Sequence, residues 1–133
     1  MEMWNSDRVA TSEGAKDRPI FELKAGLFKS LAHPARVRIL ELLVAGPHTV
    51  AQLQQVVGLE TSHLSQQLGV LRRGGLVKTV RTGATITYSL ADPVIAELLA
   101  VARGLLISQL TATTDVLADL RSEPNRRTPR TAS

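Results

Sequence analysis

The chain has 133 residues, 44% of them hydrophobic, with 16 Lys and Arg against 12 Asp and Glu. That is one domain's length, with enough apolar side chains to bury a core unaided. There is no cysteine, which excludes disulfide frameworks, thiolate catalysis and sulfur-ligated metals. Four aromatic residues, Trp4, Phe21, Phe28 and Tyr88, are too few for a surface that binds single strands by stacking bases.

The first 18 residues mix acids with bases and have no apolar run, so they do not read as a secretory signal. They and residues 122–133, rich in Pro, Arg and Ser/Thr, are expected to be mobile tails around a domain at 19–121, because neither can bury enough apolar surface to offset its ordering entropy. No stretch of about 18 uncharged apolar residues is present, so no membrane span is expected and the cytoplasm is the default compartment. Charge placement is more telling than the net +4: residues 61–91 hold Arg72, Arg73, Lys78 and Arg81 and no acid. An acid-free segment of this length suits a surface facing phosphates, although a chance gap in a solvated surface reads the same way.

In chain order, Ile20, Leu23, Leu27 and Leu31 recur at helical spacing and predict a first amphipathic helix at about 20–31. Pro34 opens a second helix where its missing N–H costs nothing. Val37, Leu40 and Val44 line one face of it, with Ile39, Leu42 and Leu43 thickening that face, and Gly46-Pro47 ends it. Thr49 with Gln52 three residues later is a capping-box pattern for a third helix. Leu53, Val56 and Val57 of that helix are expected to face inward, with Gly58 as its stop.

Thr61 is expected to cap a fourth helix whose inward stripe is Leu64, Leu68 and Leu71. That stripe leaves Ser62, Gln66, Gly69 and Arg73 opposite, flanked by His63, Ser65 and Val70. Gly74-Gly75 ends the helix. Residues 76–90 are rich in Val, Thr, Ile and Tyr, with Ile86, Tyr88 and Leu90 alternating against polar residues, and predict a hairpin turning near Thr82-Gly83-Ala84. Asp92-Pro93 opens a last helix to about residue 120, with weak helix formers Thr111, Thr113 and Thr114 at which it could fray or bend.

A short helix, a tight turn, a second helix with a clean apolar stripe and a following hairpin make a helix-turn-helix with a wing. The fold class is therefore mainly α with a small β-hairpin: five helices and a two-stranded wing. The major groove of double-stranded DNA admits one helix and is read by short polar and amide side chains. Gln66 can pair with adenine, Ser62, His63 and Ser65 can reach bases or phosphates, and Gly69 permits close approach. Arg72, Lys78 and Arg81 can bind phosphate. Thr61, Gln67 and Thr82 complete the expected DNA-binding set, while Arg73, at the helix end, is left as a solvated residue. His33, before Pro34, is expected to cap or pack, and His48 to sit solvated in a turn.

LAHPARVRILELL (31–43), TSHLSQQLGVLRRGGLV (61–77) and ITYSL (86–90) resemble the ArsR family of bacterial winged-helix transcriptional regulators, over about residues 21–120. The resemblance implies a homodimer joined through the first and last helices, commonly a repressor of its own operon that releases DNA when a metal or other signal binds. The expected interface set is Phe21, Leu27, Phe28, Ile95, Leu98, Leu99, Ala102, Leu105, Leu106, Leu110 and Leu117. Independently of the resemblance, the last helix carries more apolar surface than one small domain needs.

Departures from the family are equally clear. Many members have His at Gln67 and Lys at Gly69, so base preference does not transfer. Thiolate sensors in the family place cysteines where this chain has Thr49-Val50-Ala51-Gln52. Of the last-helix metal site only Asp92 matches, with Val94, Leu105 and Ser108 at the other positions. No metal, cofactor or catalytic residue is therefore expected. A winged-helix protein adaptor is the alternative, but it would more often carry apolar or acidic residues on the fourth helix and wing. No triad, carboxylate pair or phosphate loop supports an enzyme.

Overall fold

The computed structural model describes residues 18–122. Both expected tails fall outside them, save for Arg18 and Ser122 at the margins. The chain divides between Pro93 and Val94 into two compact units.

The first unit holds α1 (Ile20–Leu31), α2 (Pro34–Val44), β1 (His48–Thr49), α3 (Val50–Val57), α4 (Thr61–Arg73), β2 (Val77–Thr82) and β3 (Thr85–Leu90). Local chemistry sets most of these boundaries. His33 caps α2, its Nδ1 accepting from the Ala35 N–H at 3.0 Å, and Pro34 takes the first helical position. At α3 the capping box forms in full: Gln52 N–H donates to Thr49 Oγ1 at 3.1 Å and Thr49 N–H to Gln52 Oε1 at 2.8 Å. Gly58 then closes the helix in the left-handed region, φ 78°.

The core of this unit is Ile39, Leu40 and Leu43 of α2, Leu53 of α3, Leu64, Leu68 and Leu71 of α4, then Leu76 and Val77. Two expected inward positions are corrected. Val44 and Val56 are about half exposed, at 48% and 51%, because α2 turns Ile39, Leu40 and Leu43 to the core and the short α3 contributes only Leu53. The apolar pattern of α1 is present, but none of its residues is buried.

Three antiparallel strands stand in the order β1-β3-β2. The hairpin register runs from Val77↔Leu90 to Thr82↔Thr85, leaving Gly83 and Ala84 as a two-residue turn. Gly83 has φ 64° at the first central position, where a turn of the II′ class needs glycine. Strand β1 was not expected: His48 pairs with Tyr88 and Thr49 with Thr87. His48 is thus half-buried in a strand, its Nδ1 2.7 Å from the Gly46 carbonyl, and the solvated-turn expectation is corrected.

The second unit is α5, Val94–Arg121, about 42 Å long at 1.5 Å per residue. It runs without a break through Thr111–Thr114. The Thr113 and Thr114 hydroxyls donate to the Gln109 and Leu110 carbonyls, one turn back. Every residue from 101 to 121 is exposed. At roughly 100° per residue, Leu98, Leu99, Ala102, Leu105, Leu106, Leu110, Val116, Leu117 and Leu120 fall in one sector about 140° wide. Only Gln109 and Thr113 interrupt it, and Glu97, Arg103, Ser108, Thr111, Thr114, Asp115 and Asp119 take the other side. By length and composition this helix could cross a bilayer, with mean hydropathy 1.6 over 18 residues. That corrects the expectation that no segment reaches such a threshold, which rested on counting only uncharged stretches. Ile95, expected in the dimer interface, is instead buried within a single chain, at 6% exposed.

Candidate nucleic-acid interface

Helix α4 is anchored by Leu64, Leu68 and Leu71, all at most 2% exposed. Their stripe turns Ser62, Ser65, Gln66, Arg72 and Arg73 outward, all exposed, with Gly69 half-exposed among them. Hydroxyl, amide and guanidinium groups thus share one convex face that carries no carboxylate. The turn before it is stapled by Gln54, whose Nε2 donates to the Leu59 carbonyl at 3.1 Å and to Thr61 Oγ1 at 3.0 Å. Thr61 is exposed but is not the cap. Glu60 takes that position in extended backbone, with no side-chain capping bond, and Thr61 is already the first helical residue.

Gln67 is also corrected. It is 6% exposed, the buried polar side chain of the described core, and its Oε1 accepts from Arg36 Nη1 at 2.8 Å. A side chain held this way does not reach a base edge. His63 is half-buried, its ring meeting that of His33 edge-on with centroids 6.2 Å apart. His33 caps and packs as expected.

Arg73, left in the sequence reading as a solvated residue at the helix end, is exposed. A Cβ on Gly69 would meet its Nη1 at 3.1 Å, so the guanidinium folds back one turn over the middle of the outward face. Long helical side chains lean toward the N-terminus, and that direction was the available signal.

On the hairpin, Lys78, Arg81 and Thr82 are all exposed. Strand alternation puts Lys78 and Thr82 on one face and Arg81 on the other, alongside Val77 and Thr79. Arg81 therefore overhangs the core side at the tip, opposite Ile86, and the two cations do not form a pair. Among the described residues no group of three or more His, Asp or Glu side chains is placed to hold a metal ion.

The model of a helix-turn-helix domain matches residues 31–80. The chain is 56% identical over 108 residues to an uncharacterised HTH-type transcriptional regulator, Rv0081 of Mycobacterium tuberculosis, covering 80% of this chain and 95% of the relative. The crystal structure of Rv0081 superposes with a TM-score of 0.69, covering 74% of this chain and 99% of that one. The transcriptional repressor BigR from Xylella fastidiosa matches at 37% identity and TM-score 0.60, over 71% and 95% of the two chains. A homodimeric winged helix-turn-helix DNA-binding domain from Mycobacterium bovis, described as a possible ArsR-family regulator, matches at 26% identity and TM-score 0.63, over 83% and 94%.

Proposed function

Because this chain belongs to the ArsR-type family of winged helix-turn-helix transcriptional regulators, we propose that it binds a two-fold symmetric DNA operator as a cytoplasmic homodimer, with no catalytic step of its own. The observation that carries the reading is the outward face of α4. Ser62, Ser65, Gln66, Arg72 and Arg73 are exposed together on a helix buried along its other side. Gln66, at the centre, reads a base edge, while the hydroxyls and guanidinium groups position the helix on phosphates. Lys78, Arg81 and Thr82 of the wing contact the flanking backbone or minor groove.

A second copy of the chain covers the exposed apolar faces. On α1 these are Phe21 and Phe28, with half-buried Leu27 beside them; on α5 they are Ala102, Leu105, Leu106, Leu110 and Leu117, with half-buried Leu98 and Leu99 beside them. The charged side of α5 fits this occupant better than lipid on all sides, and the homodimeric relative supports it. The positions that hold cysteines or a last-helix metal set in the family are Thr49-Val50-Ala51-Gln52 and Asp92, Val94, Leu105 and Ser108. DNA binding here is accordingly independent of those sites.

The test is selection of duplexes from a random library by the purified full chain, with light scattering on the complex. An inverted repeat with half-site centres one helical turn, about 34 Å, apart is expected, bound by two chains. Enrichment of no sequence, or of an asymmetric site bound by one chain, would overturn the proposal.

A further inference from the structure

Helix α4 is held on two sides, and only one of them is the hydrophobic core. His63, Gln67, Val70 and Gly74 recur at four, three and four residues, so at roughly 100° per residue they form a ridge within about 60° of arc. This ridge is separate from the leucine stripe and from the outward face. It meets the corner where α1 passes into α2, at Ser30, His33 and Arg36. The His63 ring sits edge-on to His33, with centroids 6.2 Å apart. Gln67 Oε1 accepts from Arg36 Nη1 at 2.8 Å. A Cβ on Gly74 would lie 2.9 Å from Ser30 Oγ and 3.1 Å from Ser30 Cβ, so only glycine lets the two helices close at that end.

Arg36 ties the corner together. Its Nε donates to the Ser30 carbonyl at 2.8 Å and its Nη2 to the Lys29 carbonyl at 3.3 Å. The same planar fork thus satisfies carbonyls at the end of α1 and the buried amide of α4. All three acceptors are neutral oxygens. The fork geometry is what only arginine supplies, since an ammonium group is a point donor.

We propose that this corner sets the angle at which α4 is presented to DNA, with Arg36 as the positioning residue acting through Gln67. The inference rests on the reading of α4 as the helix that enters the groove. Gln67 touches no base in this scheme. It specifies the operator by holding Gln66 and its neighbours in register, and a bond to a charged donor inside the fold is costly to leave unmade.

The variants are Gln67→Met, which keeps volume and removes the acceptor, Gln67→Glu, which keeps an acceptor, and Arg36→Lys, which keeps charge and loses the fork. Two measurements use the full chain. Amide exchange on the free protein is expected to accelerate in 61–74 of Gln67→Met while 37–43 of α2 keeps its protection. Affinity for a duplex selected on the parent, divided by affinity for its scrambled version, is expected to fall about tenfold in Gln67→Met and Arg36→Lys and to return in Gln67→Glu. A merely structural role would speed exchange in α2 and α4 together and leave that ratio unchanged, which would overturn the proposal. If the parent enriches no duplex, the DNA reading falls and this one with it. If the parent discriminates and all variants keep its ratio, only the positioning role falls.

Discussion

Truncating Leu106 on α5 should weaken dimerisation by a calculable amount. Leu→Ala removes three carbons, worth about 2.4 kcal/mol when fully buried at about 0.8 kcal/mol per carbon. Leu106 is 54% exposed in the single chain, so covering that fraction contributes about 1.3 kcal/mol per side chain. A two-fold interface contains each residue twice, which gives about 2.6 kcal/mol per dimer, or roughly 80-fold in the dissociation constant. This counts complete coverage and the transfer term alone; any cavity left by the truncation adds to it. The control is Ile107→Ala. Ile107 is 49% exposed, close to Leu106, but it projects about 100° further round the helix, outside the apolar sector. Sedimentation equilibrium over a concentration series reads both constants. An effect of tens of fold for Leu106→Ala and less than about threefold for Ile107→Ala is expected. Equal effects, or none from Leu106, would refute the assignment of that sector to a second copy.

Changing Gln66 to Ala should cost about 1–3 kcal/mol on the selected operator and little on scrambled DNA, by fluorescence anisotropy. Arg81→Ala should weaken both duplexes alike and lower the slope of log affinity against log salt by about one per subunit; an unchanged slope would remove the hairpin from the interface. Gly69→Ala should raise thermal stability, since a mid-helix glycine costs about 0.5–1 kcal/mol and its new methyl meets only the movable end of Arg73. The same change should lower operator affinity if the backbone there approaches DNA closely. Gel-shift titrations with EDTA, zinc or nickel should give affinities within about tenfold of one another; a larger shift at micromolar metal would point to a metal site built from other residues.

Most element boundaries were legible because they are set by neighbours in sequence. Pro34, the Thr49/Gln52 capping box, Gly58 and Gly83 each act within a few residues, and the structure places helix ends or the turn at each of them. The leucine stripe of α4 was legible for the same reason, and it fixed which side of that helix is outward. Strand β1 was not, since two residues carry no alternation and pair with β3 some 40 residues away.

The site shows the same division. Composition and periodicity alone determined a basic, acid-free recognition helix followed by a hairpin, and an apolar last helix too long for one small core. Only tertiary structure decided that Gln67 belongs to the interior and that Ile95 is buried within a single chain. Periodicity assigns an angle around a helix, but the boundary between covered and open surface depends on what packs there. For Gln67 that partner is Arg36, 31 residues distant, and its hydrogen bond makes burial of an amide favourable where hydrophobicity alone would have left it in water.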